Sequence, residues 1–321
     1  MRVGSVFPER NQTAWITTQR PPRPTALDPF KPHGFFLEEE RAASGQVVSS
    51  ATILLTNKEC PWRCLMCDLW QHTTTQTVPV GAIPQQIAFA LSQLQTSPEQ
   101  IKLYNSGSFF DPAAIPLADY SDVARTISFA KQVVVESHPR LVGEKASRLR
   151  DLLSGTLEVA MGLETIHPQV LPRLNKKCGL DEFSGAVNFL RREGISVRAF
   201  VLVKPPFLDE AESLAWAVES AAFAFSCGAS VVSLIPTRAG NGAMEKLQEA
   251  GEFAPPRLAT LERSMERALN LRAGRVFADT WDLEKFSQCS ACLDQRRQRL
   301  HAMNLSQQIL SPIDCQICGG A

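Results

Sequence analysis

The chain has 321 residues, of which 44% are hydrophobic and 21% charged, and its formal net charge is zero. This balance is typical of globular proteins and supplies enough apolar material for one large α/β domain or two small ones. A neutral chain has no overall field that would draw it to nucleic acid or to an anionic membrane. No stretch approaches the ~20 consecutive apolar residues that a membrane-spanning helix needs.

Residues 1–45 are predicted to form an extended N-terminal arm. They contain scattered arginines and prolines, including the run Arg20-Pro21-Pro22-Arg23-Pro24, and proline-rich runs favour extended backbone. They lack an apolar run long enough for a signal peptide. The nine cysteines of the chain therefore indicate metal ligation in a reducing cytosol rather than disulfides, and we expect a cytoplasmic protein.

From residue 46 onward, strand-like and helix-like segments alternate. The strand candidates are short, apolar and mostly β-branched, as is typical of strands buried on both faces of a parallel sheet: residues 52–56, 101–105, 132–137, 157–161, 197–203 and 231–236. Amphipathic helix candidates lie between them, at residues 83–95, 120–130, 143–154, 181–193 and 210–227. Six strands separated by five helices predict right-handed βαβ units in an α/β fold, either a partial barrel or an open doubly wound sheet.

A cysteine loop follows the first predicted strand. Cys60, Cys64 and Cys67 have the spacing Cys-x3-Cys-x2-Cys. Three thiolates at this spacing can hold three irons of a 4Fe-4S cluster and leave the fourth iron open to a small molecule. The alternatives are a zinc ion with a borrowed fourth ligand, which would more usually use two Cys-x2-Cys pairs, and three buried thiols without a metal.

The position of this loop bears on the fold. Active groups gather at the carboxyl ends of parallel strands in barrels, so the loop favours a partial (β/α)6 TIM-like barrel over a flavodoxin-like open sheet. The region that forms this barrel is predicted to span residues 46–255.

Polar side chains follow the next strands as well. Ser106, Gly107 and Ser108 form a small-residue turn after the second strand, where backbone can approach a ligand closely. Glu136 places a carboxylate at the exit of the third strand, where it could accept hydrogen bonds from ribose hydroxyls. Arg140 is either an anion contact or a member of a solvent-facing ion pair.

The fourth and fifth strands end in charged residues. Glu164 is either a ligand contact or a cap for the next helix. Lys204 precedes two prolines that stiffen its loop, and it is either a cation that reaches into the barrel mouth or a surface lysine. Arg238, after the sixth strand, could bind an anion, although no Walker-type Gly-Lys-Ser/Thr follows it.

Residues 256–321 are predicted to form a small C-terminal extension with a helix and a metal site. Two Cys-x2-Cys pairs, Cys289/Cys292 and Cys315/Cys318, are separated by 22 residues. Four thiolates at such spacing bind zinc, which would pin the C-terminal tail, or an auxiliary 4Fe-4S cluster. The basic run Arg296-Arg297-Gln298-Arg299 lies between the pairs. We expect a solvated helix face there, and the alternative is a phosphate contact.

The first cysteine set resembles the signature of the radical S-adenosylmethionine (SAM) superfamily, whose open iron binds SAM. Ser106-Gly107-Ser108-Phe109-Phe110-Asp111 resembles the Ser-Gly-Ser-Phe-Leu-Asp stretch of the radical SAM subunit of archaeosine synthase, within the group that includes Elp3-like and MiaB-like enzymes. Gly162-Leu163-Glu164-Thr165, Asn175-Lys176 and Lys204-Pro205-Pro206-Phe207-Leu208 fit the same family. The resemblance spans about residues 52–256.

The resemblance implies a radical SAM enzyme in which Cys60, Cys64 and Cys67 bind the cluster, and Ser106–Ser108 and Glu136 contact SAM. Such an enzyme cleaves SAM reductively to a 5′-deoxyadenosyl radical, which abstracts hydrogen from a substrate. The archaeal members act on a lysine adduct of a deazaguanine base in tRNA, so a modified tRNA base adduct is a candidate substrate. A one-electron reductant such as flavodoxin or ferredoxin is an implied partner.

Two other functions stay open at this stage. One is a radical SAM enzyme that modifies a peptide or a small molecule and carries an auxiliary cluster. The other is a metal-binding partner protein without turnover. Neither the neutral net charge nor any segment after residue 256 indicates a separate RNA-binding domain.

Overall fold

The computed structural model describes residues 5–23, 27–94 and 96–318. Within them, eight strands form one sheet: β1 (Gly34–Arg41), β2 (Val47–Leu54), β3 (Gln100–Tyr104), β4 (Gln132–Glu136), β5 (Thr156–Glu164), β6 (Ser196–Val203), β7 (Val231–Pro236) and β8 (Arg275–Ala278).

Ten α-helices accompany the sheet in the described residues: α1 (Gln12–Gln19), α2 (Ala82–Gln93), α3 (Tyr120–Thr126), α4 (Glu144–Leu152), α5 (Val170–Arg173), α6 (Leu180–Arg192), α7 (Glu210–Cys227), α8 (Ala243–Glu249), α9 (Leu258–Asn270) and α10 (Leu293–Ser306). Short 3₁₀ helices cover Leu69–His72, Leu117–Asp119, Pro139–Leu141 and Leu283–Lys285. None of the helices in the described part of the chain is long and apolar enough to cross a membrane.

The strands follow one another in chain order across the sheet. From β2 to β8 every neighbouring pair is parallel, and β1 pairs with β2 in the antiparallel sense. The sheet curls into a half-barrel, because each parallel connection passes over the same face and strand twist accumulates. The predicted α/β partial barrel is confirmed, with six of its strands and their helices near the expected positions.

Two strands extend the sheet beyond the six that were predicted. β8 adds a parallel strand next to β7 from within the C-terminal region. β1 adds an antiparallel edge strand from within residues 1–45. The domain boundaries at residues 45 and 255 stay a prediction.

The expectation of an extended N-terminal arm is wrong for a large part of the described segment. α1 and β1 both lie in it, and Phe7 and Ile16 are buried in a small apolar cluster with Leu65 and Met244. Burial of these apolar side chains offsets the entropy of ordering the segment. Pro24 of the proline-rich run lies outside the described residues, as do residues 1–4.

The two faces of the half-barrel differ in chemistry. Alternate residues of each strand, such as Ile53, Leu103 and Val159, pack in the apolar core beneath the helices. Successive side chains of a strand point to opposite faces of the sheet. The residues next to these in each strand therefore face the inside of the half-barrel. Several of these neighbours are polar and buried there: Ser50, Thr52, Gln100, Lys102, Glu158 and Arg198.

A buried ion network joins strands across the inside of the barrel. The guanidinium of Arg198 donates from Nη2 to Oε1 of Glu40 at 2.5 Å and from Nε to Oε1 of Glu158 at 2.7 Å. The ammonium of Lys102 lies 2.5 Å from the same Glu40 carboxylate, and Arg275 lies 3.4 Å from Glu158. The network therefore links β1, β3, β5, β6 and β8 at one level of the barrel.

The basic run of α10 does not form the solvated face that the sequence predicts. Arg296 and Arg299 are buried, and both contact Glu262 of α9. Arg299 also donates to Glu266 at 2.5 Å. Burial of these arginines is tolerated because carboxylates on the facing helix pair with them.

Candidate cluster site and second metal site

The cysteine loop leaves the carboxyl end of β2, at the same edge where the other parallel strands end. Cys60, Cys64 and Cys67 are partly buried free thiols. Burial raises the pKa of each thiol to about 12. Burial therefore disfavours the thiolate form of these residues, and a bound metal group would offset this cost.

Two neighbouring segments hold this loop in place. Nδ2 of Asn241 donates to the carbonyls of Leu65 at 2.7 Å and Cys67 at 3.1 Å. Nδ2 of Asn175 donates to the carbonyl of Arg63 at 2.6 Å. Sequence reasoning missed Asn241, which follows a strand end as an ordinary polar loop residue would.

A carboxylate next to the first cysteine anchors the N-terminal segment. Glu59 accepts from Arg20 at 2.6 Å and lies 3.2 Å from Arg63, and Arg23 also pairs with it. The guanidinium of Arg20 stacks over the Trp70 ring, 4.7 Å from its centroid. The N-terminal segment therefore packs directly on the cysteine loop.

The predicted serine-glycine turn lies against the first cysteine. A Cβ added to Gly107 would be 3.3 Å from Cβ of Cys60, so a larger residue would press on the cysteine. Ser106 takes the left-handed conformation with φ 54°. Ser108 is buried, and its Oγ lies 2.8 Å from Oγ of Ser137, so its side chain supports the turn.

Glu136, which the sequence places as a possible acceptor for ribose hydroxyls, lies against the serine-glycine turn. Its Oε1 accepts from the backbone N–H groups of Asn105 at 2.5 Å and Gly107 at 3.3 Å. Burial raises the pKa of this carboxyl to about 7, against the opposing effect of these N–H groups. In the structure, Glu136 shapes the turn that faces Cys60.

Glu164 and Lys204 are both buried and both ion-paired. Oε1 of Glu164 lies 2.6 Å from Nζ of Lys176, and Nζ of Lys204 lies 2.8 Å from Oε2 of Glu210 at the start of α7. Glu164 and Lys204 also have positive φ angles, 67° and 57°. Left-handed non-glycine residues are costly and tend to collect at functional sites.

Arg140 and Arg238 both form ion pairs, and for Arg140 this is the solvent-facing pair that the sequence offers as one of two interpretations. Arg140 pairs with Glu182 at 3.0 Å, both being about half exposed. Arg238 pairs with Asp279 at 2.5 Å at the end of β8. Both cations have carboxylate partners in the structure.

The residues around the loop also fit an iron-sulfur cluster. The observation that supports this fit does not involve the cysteines. Three buried asparagines next to the loop carry side-chain atoms without a hydrogen-bond partner among the described residues: Oδ1 of Asn57, Oδ1 of Asn175, and both Oδ1 and Nδ2 of Asn105. Buried polar atoms are normally paired. Their concentration here indicates that a polar or charged group completes the site.

The C-terminal cysteines come together as the sequence predicts. The Sγ atoms of Cys289, Cys292, Cys315 and Cys318 all lie within 4.8 Å of one another. The Cys289–Cys315 sulfurs are 3.9 Å apart and the Cys292–Cys318 sulfurs 3.7 Å apart. The backbone N–H groups of Cys318 and Ile317 lower the pKa of Cys315 to about 7. These four residues could therefore bind a metal.

Known proteins resemble this chain in sequence. The archaeosine synthase subunit beta of Methanosarcina acetivorans is 23% identical over 85% of this chain and 84% of its own length. The protein of the same name from Thermococcus kodakarensis is 26% identical over 60% of this chain and 62% of its own length. An uncharacterized protein of Methanocaldococcus jannaschii is 24% identical over 71% of this chain and 67% of its own length. No protein-family model matches the chain.

Solved structures share the fold. The archaeal Elp3 of Methanocaldococcus infernus superposes with a TM-score of 0.52 at 14% identity, over 68% of this chain and 59% of its own. Methylornithine synthase superposes with a TM-score of 0.53 at 13% identity, over 81% and 71% of the two chains. The predicted resemblance to archaeosine synthase is thereby confirmed in sequence, and the solved structures share the predicted half-barrel fold.

Proposed function

We propose that this protein is a radical SAM enzyme. The observation that carries the proposal is the placement of the Cys-x3-Cys-x2-Cys loop at the carboxyl edge of a parallel half-barrel, with the Gly107 turn against Cys60. The sequence relatives named archaeosine synthase subunit beta and the folds of Elp3 and methylornithine synthase support it.

Cys60, Cys64 and Cys67 would hold a 4Fe-4S cluster through three of its irons. When bound, the cluster supplies the electron that cleaves SAM into methionine and a 5′-deoxyadenosyl radical, which abstracts hydrogen from a substrate. Asn175 and Asn241 hold the loop backbone and so fix the directions of the three thiolates. The N-terminal segment covers one side of the loop and helps to exclude water.

We propose that SAM contacts Ser106, Gly107 and Ser108 on the turn, and Glu136, Glu164 and Lys204 at the neighbouring strand ends. Gly107 lets backbone come close to the first cysteine, and Glu136 holds the N–H groups of the turn. Glu164 and Lys204 are placed at the ends of β5 and β6, where their ion pairs keep two charges buried at the barrel mouth.

A modified tRNA base adduct is the proposed substrate, since two relatives are named archaeosine synthase subunit beta. Both names contain the word subunit, which supports a partner chain. A one-electron reductant such as flavodoxin or ferredoxin is a second proposed partner. A peptide or small-molecule substrate is the alternative within the superfamily. A metal-binding partner protein without turnover is the alternative of another class.

Anaerobic reconstitution with iron and sulfide, followed by SAM and dithionite, tests the proposal. We expect about four irons more per chain than the C-terminal site alone would hold, and formation of 5′-deoxyadenosine. Modified tRNA that co-purifies with the chain would support the RNA substrate. A chain that binds only zinc and leaves SAM intact would be the metal-binding partner instead.

We propose zinc for the C-terminal site. A tetrahedral ion with Zn–S bonds of about 2.3 Å sets its sulfurs about 3.8 Å apart, which matches the measured 3.9 and 3.7 Å. In a 4Fe-4S cluster each cysteine sulfur binds a different iron, so the four cysteine sulfurs would lie farther apart. Arg296, which also interacts with Cys292, places a positive charge beside the tetrathiolate.

Substitution of Cys292 by serine tests the zinc site. We expect the purified wild type to contain one zinc per chain and the Cys292→Ser variant to lose it. Because the metal ties the tail to the start of α10, the variant should lose at least about 1 kcal/mol of stability, a fall in Tm of at least roughly 1–2 °C. Elemental analysis and thermal unfolding measure both effects. Iron in this site, seen in a variant that lacks Cys60, Cys64 and Cys67, would show an auxiliary cluster instead.

A further inference from the structure

Lys176 is a buried cation beside the cysteine loop. Its segment bonds to the loop directly, since the N–H of Leu65 donates to the carbonyl of Leu174 at 2.9 Å and Asn175 donates to Arg63. On its other side, the carbonyl of Lys176 lies 3.0 Å from Nε2 of His138. The His138 ring stacks on Trp62 of the loop, with centroids 3.6 Å apart.

The fold makes room for the ammonium at the end of β5. Nζ of Lys176 pairs with Oε1 of Glu164 at 2.6 Å, and the side chains of both residues are 9% exposed. A Cβ on Gly162 would clash with both the ammonium and the carboxylate. The register irregularity between Gly162 and Glu164 in the β5–β6 pairing turns the carboxylate to this side.

The two charges act on the cysteines in opposite directions. The ammonium of Lys176 interacts electrostatically with the sulfurs of Cys64 and Cys60, and the carboxylate of Glu164 interacts with that of Cys64. A positive charge that stabilises a thiolate also stabilises any more negative state of a group bound to that thiolate.

We propose that the Lys176–Glu164 pair sets the reduction potential of the cluster held by Cys60, Cys64 and Cys67, with the lysine raising the potential and the glutamate lowering it. This inference rests on the proposed function. In the step concerned, one electron from an external one-electron reductant enters the cluster, and no bond forms or breaks. In this role Lys176 and Glu164 act through the electric field at the thiolates.

A redox titration of the reconstituted full-length chain without SAM tests the inference. Dithionite with mediators sets the potential, and the EPR signal of the reduced cluster gives the ratio of reduced to oxidised protein. At the wild-type midpoint, we expect Lys176→Met to lower this ratio about tenfold, equivalent to ~59 mV for a one-electron couple. Glu164→Gln should raise the ratio, and the double variant should return it toward the wild-type value.

If the ion pair had only a structural role, substitution of its two partners would not shift the ratio of reduced to oxidised protein in opposite directions. Shifts of the same sign, or ratios within about twofold of wild type for both single variants, would overturn the inference. If Lys176→Met fails to fold, Glu164→Gln and the charge-preserving Lys176→Arg test the inference instead. We then expect the ratio of reduced to oxidised protein to rise in Glu164→Gln and to change little in Lys176→Arg. Wild-type protein that assembles no cluster would overturn the proposed function together with this inference, whereas a loaded wild type with unshifted variants would overturn this inference alone.

Discussion

Replacement of Cys64 by alanine is expected to abolish SAM-dependent formation of 5′-deoxyadenosine while the fold stays intact. Loss of a direct ligand should cost more than the ~10–100-fold that loss of a hydrogen-bonding partner around a metal typically costs. The fold should survive because the loop backbone is held by Asn175 and Asn241 independently of the thiol. Chromatography of the products after anaerobic reconstitution and reduction measures the activity, and circular dichroism measures the fold.

The control for this variant is Cys227→Ala. Cys227 ends α7 and lies 3.2 Å from Oγ of Ser184, away from both cysteine sets. We expect its activity to match the wild type. Formation of 5′-deoxyadenosine by Cys64→Ala at the wild-type rate would contradict the assignment of the cluster loop.

Substitution of Arg198 by methionine should destabilise the protein by about 3–5 kcal/mol, because it leaves buried carboxylates without their main partner. Arg198 bonds to both Glu40 and Glu158, and all three side chains are at most 5% exposed. Urea unfolding of the variant and the wild type measures the difference. Arg297→Met is the matched control, since the Arg297–Asp294 pair is 41% and 83% exposed and should contribute less than about 1 kcal/mol.

The pH dependence separates this electrostatic effect from a loss of packing. Burial would raise the pKa of Glu40, but Arg198 and Lys102 outweigh it and hold the pKa well below its usual range. The ionised carboxylate therefore stabilises the fold fully above the unfolded-state pKa near 4.5, and this contribution is lost as the pH falls. The stability difference between wild type and Arg198→Met should shrink below about pH 4.5. A difference that stays constant from pH 7 to pH 3.5 would indicate lost packing instead.

The six strands from β2 to β7 were predictable because they are short apolar runs that are mostly β-branched and buried on at least one face. β1 was not, since Glu38, Glu39 and Glu40 read as a solvent-exposed segment. β8 was not, because Arg275–Ala278 is only four residues long. Both become strands because the neighbouring strand offers an edge to pair with and the ion network neutralises their inward charges.

The candidate site was predictable to a similar degree. The cysteine spacings are local patterns, and both sets were recognisable before the fold was known. The Glu136 contact with the Asn105 and Gly107 amides was not, because it depends on the pairing of β3 with β4. The burial of Arg296 and Arg299 likewise depends on the acidic residues of α9, which are distant in the chain.

The amino-acid sequence by itself determined the order of strands β2 to β7 and of five helices between them, the two cysteine sets and the resemblance to radical SAM enzymes. Each of these is a property of residues near one another in the chain. Only the tertiary structure decided which charges are buried and with which partners. Arg198 meets Glu40 across 158 positions of the chain, and Lys176 meets Glu164 where Gly162 leaves room. Burial makes an unpaired charge costly, so partners of this kind are chosen by the folded geometry rather than by local sequence.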